Sequence, residues 1–381
     1  MLFLYDVFRF GFFFVFVGMH CALMIGLMAE WYRDRQTRTR KAAPDSPKVS
    51  VIVPIHNEAE RLTNLLRSLS GQDYSAREYI FIDDRSEDAS LGILEAFLPG
   101  LPESRIISIR ENPGPNHKQY ALAKGIQAAQ GAFLLFTDGD CEVPAGWISA
   151  MVKRMADPRT GAVLGPVFKR SGGSGFFHLY QCFDHAVRYM YLAGSTGLGA
   201  AGGGFGNNLI LRREALDAIG GYDSVPASPT EDAALISRIR SCSKYRIRSG
   251  LGADLFVLTA GEKTWKALLN QTLRWNNGGL FSPDRATRFN FAFLMITIAM
   301  GILALPLLPL VPSLWTLSAA VMLSMALNTF AVLGLFGSTL PKKGIAYIFQ
   351  LIFTPCYFTF LTILGFCGIK FQWKGSFIQK G

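Results

Sequence analysis

This sequence has little of what a disulfide scaffold, a zinc site or a phosphate-cradling loop requires. Its six cysteines (Cys21, Cys141, Cys182, Cys242, Cys356 and Cys367) form no CxxC pair, and three of them lie in apolar runs. Neither a disulfide framework nor a thiolate metal site is expected from them. The five histidines are scattered and form no HExxH, which leaves no histidine-ligated metal. No GxxxxGKS or GxGxxG opens a helix after a strand, so nucleotidyl or phosphoryl transfer has no P-loop here. No basic-aromatic module or helix-turn-helix pattern points to nucleic acid. Charge is sparse, at 17% of 381 residues, and uneven: 38 Lys and Arg against 28 Asp and Glu, a net +10.

Apolar residues are what is abundant. Half of the chain is hydrophobic and 30 residues are Phe. A chain both so apolar and so basic reads as a membrane protein with a basic cytoplasmic face. Anionic lipid headgroups account for most of the positive charge, and attraction of an anionic ligand for the rest. Leu2 to Ala29 is long enough to cross a bilayer, and Arg33, Arg35, Arg38, Arg40 and Lys41 follow it. That arrangement predicts an uncleaved anchor with its downstream side in the cytoplasm, not a signal peptide. Three further apolar spans run from Phe291 to Val311, Leu314 to Leu335 and Ile345 to Ile369. Pro306, Pro309 and Pro312 crowd the end of the first of these, which can kink, tilt or re-enter there. Lys342 and Lys343 mark one loop as cytoplasmic, as in a hairpin of the first two spans. A crossing by the third would put Lys370, Lys374 and Lys380 outside, so either one span does not cross or the positive-inside tendency is broken.

Between these spans the texture changes. Past a Pro-containing linker, 42–47, the β-branched run Val49–Pro54 reads as a strand ended by proline. Leu62, Leu65, Leu66 and Leu69 predict a helix over 57–69. Tyr79–Ile82 is a second buried strand ending in Asp83-Asp84, Ser86–Phe97 a helix, Arg105–Ile109 a third strand, and Lys118–Ala129 a helix. The apolar run from Ala132 ends on Asp138-Gly139-Asp140. Alternating strands and helices predict a mostly parallel, doubly wound α/β sheet whose acid pairs share one rim. Ligands bind outside the carboxyl ends of such strands. Carboxylates spaced like Asp138 and Asp140 suit Mg²⁺ or Mn²⁺, although Asp-Gly also occurs in plain turns.

Further on, Ser171–Gly175 and Gly194–Gly206 read as loops around a cleft. Phe176–Leu192 is aromatic at helical spacing (Phe176, Tyr180, Phe183, Val187, Tyr191), fitting a core helix as well as one lining an acceptor or skimming the membrane. Arg213–Ile219 reads as a helix closed by Gly220-Gly221. Thr230 is placed to cap a helix through Ile239, with Glu231 and Asp232 in its first turn. Glu262–Trp275 reads as an interfacial helix with Trp265, Leu268 and Leu269 on one stripe.

Five motifs now stand in order: Pro54-Ile55-His56-Asn57-Glu58, Asp83-Asp84, Asp138-Gly139-Asp140, Thr230-Glu231-Asp232, and the QxxRW of Gln271-Thr272-Leu273-Arg274-Trp275 ahead of the last apolar spans. The set resembles membrane-anchored family 2 glycosyltransferases of the GT-A fold, ceramide-glucosyltransferase-like members among them. The likeness covers Val49 to about 280. It implies a GT-A domain, Rossmann-like and doubly wound, flanked by transmembrane helices. It implies inverting transfer of a sugar from a nucleotide diphosphate sugar to a hydroxyl of a lipid or lipid-linked acceptor.

By that resemblance, Pro54, Asn57, Glu58, Asp83 and Asp84 hold the nucleoside side of the donor, with Lys118 and Asp138 also near it. Asp138 and Asp140 hold the divalent cation, Mg²⁺ or Mn²⁺. Asp232 is the general base with Glu231 beside it, and Gln271, Arg274 and Trp275 line the acceptor and diphosphate side. Gly206, Asn207 and Asn208 resemble an acceptor loop, as do Gly220-Gly221-Tyr222-Asp223. Arg85 stands where many relatives carry glycine, which puts the local turn in question. The expected organisation is an anchor (1–30), a basic linker (31–47), the transferase domain facing the cytoplasm (48–285), a membrane region of two or three helices (286–371) and a tail (372–381). The localisation that goes with it is integral to the membrane, the inner or plasma membrane if bacterial. A processive polysaccharide synthase shares the same motifs, and a non-catalytic membrane scaffold with a transferase-like domain is the reading from another class.

Overall fold

A computed structural model describes residues 2–39, 46–111, 116–170, 175–341, 344–369, 371–373 and 376–378. Arg40, Lys41, most of the linker, Ser171–Ser174, Lys342, Lys343, Lys370, Lys374 and Lys380 lie outside the described residues. The chain divides into two compact units. One is Ala29–Arg170 with Gly199–Ala260; the other is Met1–Met28, Ser171–Leu198 and Gly261–Gly381.

In chain order, helix α1 (Leu2–Thr39) is followed by β1 (Val49–Ile55), α2 (Ala59–Ser70), β2 (Arg77–Asp84), α3 (Ser90–Phe97), β3 (Ser104–Ile109), α4 (His117–Ala128) and β4 (Phe133–Phe136). Next come β5 (Cys141–Glu142), α5 (Trp147–Arg154), β6 (Thr160–Leu164), β7 (Val167–Lys169) and α6 (Phe176–Gly197). β8 (Leu209–Arg212), α7 (Arg213–Asp217), α8 (Glu231–Cys242), β9 (Arg246–Ser249) and β10 (Val257–Thr259) complete the sheet region. The remainder is α9 (Trp265–Leu280), α10 (Arg285–Ala304), α11 (Trp315–Phe336), α12 (Gly344–Phe366) and the antiparallel pair β11 (Phe371–Trp373) and β12 (Ser376–Ile378).

The sheet unit is mixed α/β around a seven-stranded sheet of order β3-β2-β1-β4-β8-β6-β9. β3, β2, β1 and β4 are mutually parallel, β8 runs antiparallel to both β4 and β6, and β9 is parallel to β6. Buried on both faces, β1 and β2 carry the apolar runs Val51–Pro54 and Tyr79–Ile82 without polar alternation, because neither face meets water. α2 covers one face with Leu62, Leu65, Leu66 and Leu69, all fully buried. β1 continues one residue past Pro54, to Ile55 opposite Asp83. α3 begins at Ser90, not Ser86; Asp88 ties the turn ahead of it, its Oδ1 accepting from the Ser90 amide at 2.9 Å.

The reversal at β8 matters for function. Leu209, its first residue, pairs with Phe136, the last residue of β4. The loop leading into β8 therefore opens on the same rim as the loops leaving β1, β2 and β4. A second small sheet, β5-β10-β7, brings Thr259 opposite Cys141.

Four helical stretches among the described residues, Asp6–Thr39, Arg285–Leu307, Pro312–Phe336 and Tyr347–Phe366, are long and apolar enough to cross a membrane. The prolines beyond α10 form short 3₁₀ turns at Leu305–Leu307 and Pro312–Leu314, and these close a turn into α11. Gly194 and Gly197 belong to α6, correcting the expectation of a loop from Gly194. A Cβ on Gly194 would stand 2.6 Å from the Leu23 carbonyl oxygen, and ones on Gly26 and Gly197 would collide with backbone of the facing helix. These glycines serve a close helix–helix crossing, which small residues permit in apolar surroundings.

Candidate active site

The first two motifs are zipped together by hydrogen bonds. The Asn57 amide donates to Ser86 Oγ (3.2 Å), Glu58 N to Ser90 Oγ (2.8 Å), Ala59 N to Asp88 Oδ2 (3.0 Å), and Glu87 N to Asn57 Oδ1 (2.8 Å). His56 Nδ1 lies 2.6 Å from the Asp84 carbonyl oxygen. Burial works to raise the Asp88 carboxyl, but these bonds from Ser90 and Ala59 outweigh it and hold it low. Asp88 was not singled out from the sequence; an acid just before an apolar helical run is the cap signature that could have found it.

Arg85 adopts the turn that a glycine would favour. Its φ is 55°, in the left-handed region that costs a non-glycine residue about 1 kcal/mol. Two contacts hold it there: Nε donates to Asp84 Oδ1 at 2.8 Å, and Nη2 lies 2.7 Å from His117 Nδ1. Asp84 is thus occupied by Arg85, whereas Asp83 Oδ1 is buried with no hydrogen-bond partner.

The third and fourth motifs meet at Lys118, in the first turn of α4. Its Nζ lies 2.9 Å from the Asp138 carboxylate and 3.3 Å from Glu231 Oε1. Burial disfavours the ammonium, but Asp138, Glu231 and Asp232 outweigh burial and raise its pKa. Burial likewise pushes the Asp138 carboxyl up; Lys118 pulls it down, Asp140 pushes it up again, and the net direction is upward. Asp140 Oδ2 accepts from Thr259 Oγ1 at 2.8 Å, a bond made possible by the small second sheet.

Asp232 heads α8. Thr230 stands at the cap position, but its hydroxyl makes no capping bond; Asp232 turns back on its own helix instead, and its Oδ1 accepts from Ala233 N at 2.7 Å. Its Oδ2 accepts from Gly206 N at 2.8 Å. A Cβ on Gly206 would press on the Asp232 Cβ at 3.1 Å, so this close approach suits glycine. Burial first, then the Glu231 carboxylate, push the Asp232 carboxyl up to about 6 against the pull of Lys118. Tyr222 is buried close by, and burial with the Glu231 charge drives its hydroxyl upward too.

Of the expected acceptor loop, only part faces the site. Asn207 Nδ2 reaches Cys141 Sγ at 3.4 Å. Asn208 is fully buried and spent on structure: Oδ1 accepts from Trp147 Nε1 (2.9 Å), and Nδ2 donates to the carbonyls of Pro166 and Leu255 (both 2.8 Å). Its side chain has no face left for an acceptor, which corrects the expectation. An asparagine leading into an apolar strand reads the same in sequence whether it meets ligand or core.

Gln271, Arg274 and Trp275 lie on α9 in the helical unit. Gln271 Nε2 donates to Glu262 Oε1 (2.8 Å), and the Glu262 amide donates to Gln181 Oε1 (2.7 Å). Thr272 Oγ1 lies 2.7 Å from the Tyr357 hydroxyl. The Trp275 ring meets His185 edge-on at 5.4 Å, and Arg188 lies over it at 5.2 Å. Asp184 and Arg188 were missed, because the aromatic residues of α6 drew the reading to an apolar stripe; a lone pair of opposite charges at i, i+4 was the available signal.

Comparison with known proteins agrees with the motif reading. The family model of glycosyl transferase family 21 matches residues 13–379. The beta-monoglucosyldiacylglycerol synthase of Trichormus variabilis is 26% identical over 278 residues, 69% of this chain and 58% of that protein. Glycosyltransferase AglE of Haloferax volcanii is 32% identical over 143 residues, 36% of this chain and 46% of its own. The chain therefore spans about half the length of the curated relatives it matches. The mannosyltransferase PcManGT of Pyrobaculum calidifontis, solved with GDP-Man and Mn²⁺, shares the fold with a TM-score of 0.52 at 19% identity, covering 93% of this chain and 98% of that one. The mixed sheet is thus a GT-A sheet, and its motifs resembled family 2 members. With its match running nearly end to end, the chain belongs to glycosyl transferase family 21.

Proposed function

We propose that this protein is a membrane-bound inverting glycosyltransferase that moves a sugar from a nucleotide diphosphate sugar to a hydroxyl of a lipid or lipid-linked acceptor. The observation that carries the reading is Asp232. It is a carboxylate with a pKa raised to about 6, fixed by the Gly206 and Ala233 amides and sharing the Lys118 charge with Asp138 and Glu231. At neutral pH it is ionised, and it is basic enough to take the proton of an attacking hydroxyl. No second carboxylate is assigned as a nucleophile, so one displacement inverts the anomeric carbon.

The donor side supports a divalent cation. Asp138, Glu231 and Asp232 share one ammonium, so negative charge is in excess, and the oxygen donors of Asp138 and Asp140 are those that Mg²⁺ or Mn²⁺ prefers. Among the described residues no three His, Cys, Asp or Glu side chains form an all-protein metal cage. Two carboxylates with the remaining ligands supplied by diphosphate is the usual arrangement for such ions. Bound there, the cation would neutralise charge developing on the departing diphosphate. Lys118 holds Asp138 and Glu231 in place, and Thr259 orients Asp140. The zipped Asn57–Glu58 and Asp83–Ser90 loops offer the nucleoside a rigid wall, with the orphaned Asp83 oxygen as a buried acceptor.

The acceptor is read from the diacylglycerol-glucosylating relatives and from the apolar spans next to α9. The sheet unit is assigned to the cytoplasmic side, where the basic residues after the first span belong. Membranes carrying the wild-type chain, incubated with a panel of nucleotide sugars, should yield a lipid heavier by one hexose on mass analysis of the extract. A polymer product would favour the synthase reading. Unchanged lipids with every donor, alongside a phenotype kept in Asp232→Asn, would favour the scaffold.

A further inference from the structure

α6 carries an ion pair packed among aromatic side chains. Arg188 Nε donates to Asp184 Oδ2 at 2.7 Å, and Asp184 is buried. The Tyr180 hydroxyl reaches the other Asp184 oxygen at 3.4 Å. The Arg188 guanidinium lies over two rings at once, Trp275 at 5.2 Å and Phe358 at 5.1 Å, and its Nη2 is buried with no hydrogen-bond partner. His185 closes on the Trp275 ring from the same helix. Three residues earlier on α9, Thr272 is tied to Tyr357, whose ring lies 5.3 Å from Tyr180. The indole of the QxxRW motif is thereby held by α6 twice, by the Arg188 cation over its face and by the His185 ring at its edge.

Placing a buried ion pair among apolar helices is costly, and two leucines would pack the same volume more cheaply. What an arginine adds is a planar cation that fixes the plane of an aromatic ring, plus donors left over for an oxygen. We infer that Arg188, clamped by Asp184, is a positioning residue of the acceptor site. It sets the orientation of Trp275 against the acceptor headgroup, and its remaining Nη2 donor faces an acceptor oxygen. This rests on the transferase reading given above.

The test uses the full-length chain in mixed micelles, with diacylglycerol as the acceptor probe and a nucleotide glucose as donor. Arg188→Met should raise the acceptor KM about tenfold, the scale of a desolvated cation–π contact, with donor KM unchanged. The double variant Asp184→Asn/Arg188→Met removes both charges together and guards against simple misfolding. It should show the same acceptor KM shift at a thermal midpoint close to wild type. Arg188→Lys keeps the charge without the plane and should restore only part of the affinity. A double variant with wild-type acceptor KM overturns the inference, as does a donor KM that rises in step. A wild-type chain that turns over no nucleotide sugar counts against the transferase reading itself, whereas active variants indistinguishable from wild type count against Arg188 alone.

Discussion

Buried charge is handled in opposite ways in the two units. In the helical unit Asp184 has its own arginine, one to one, with aromatic rings packed about the pair. In the sheet unit Asp138, Glu231 and Asp232 share the single ammonium of Lys118, with Asp140 beside Asp138. A matched pair needs no further counter-charge. A surplus of carboxylates is tolerated only where something cationic or a proton arrives, which is why displaced acid pKa values collect where chemistry is done. The difference separates a charge-neutral pair from a cluster left with excess negative charge.

Four substitutions and a pH scan would break or sharpen that contrast. The largest effect is expected from Asp232→Asn, which should lower kcat by about 10²–10⁴-fold. Its thermal midpoint at neutral pH should equal or exceed wild type. The folded Asp232 carboxyl titrates near 6 against an ordinary 3.8, so its ionised form is disfavoured by the fold. That cost is absent below the ordinary value and complete above about 6, so any stability gain in the variant should vanish when both are melted in acid. A drop in midpoint at neutral pH would contradict the charge-surplus account.

Next is Lys118→Met, which removes the cation that Asp138, Glu231 and Asp232 share. In wild type kcat/KM should fall as pH drops through about 6, where the base takes up its proton. Without Lys118 that limb should move to higher pH, because the pull that lowers the Asp232 carboxyl is gone. A pH–rate profile of the two chains measures this directly; an unmoved limb would mean that the limb belongs to another group.

Asn208→Ala should cost about 2–3 kcal/mol in denaturant melts, since its amide bonds Trp147, Pro166 and Leu255 within the core. Acceptor KM should stay within about twofold, a size that separates a strut from a binding group. The smallest effect belongs to Arg85→Gly. Relief of the left-handed strain, about 1 kcal/mol, is offset by loss of the contacts to Asp84 and His117, leaving stability within about 1 kcal/mol of wild type. Equilibrium unfolding would resolve the balance.

The first half of the sheet was legible because β1, β2 and β4 are buried on both faces, and each ends in or runs on into polar residues. The hydrophobic run and its acid terminus are both local signals. β5 to β10 were not legible, being two to five residues long and paired with partners far along the chain, as Thr259 is with Cys141. α5 was missed too, being only eight residues long. At the site, motif order identified Asp138, Glu231 and Asp232, and Lys118 by a weaker likeness. It could not tell Asn207 from Asn208, because burial depends on what folds over a residue and not on the residue type. Nor could it see Asp184 and Arg188, whose meaning lies in rings carried by α9 and α12.

The tight crossing of α1 and α6 has one further consequence. With Gly26, Gly194 and Gly197 packed backbone to backbone, no acyl chain can intercalate between the two helices there, and neither can ratchet along the other without lifting off first. The first apolar segment is therefore a fixed wall of its bundle and not merely a tether, so exchanging it for an unrelated membrane anchor of equal hydrophobicity would leave a seam open to lipid.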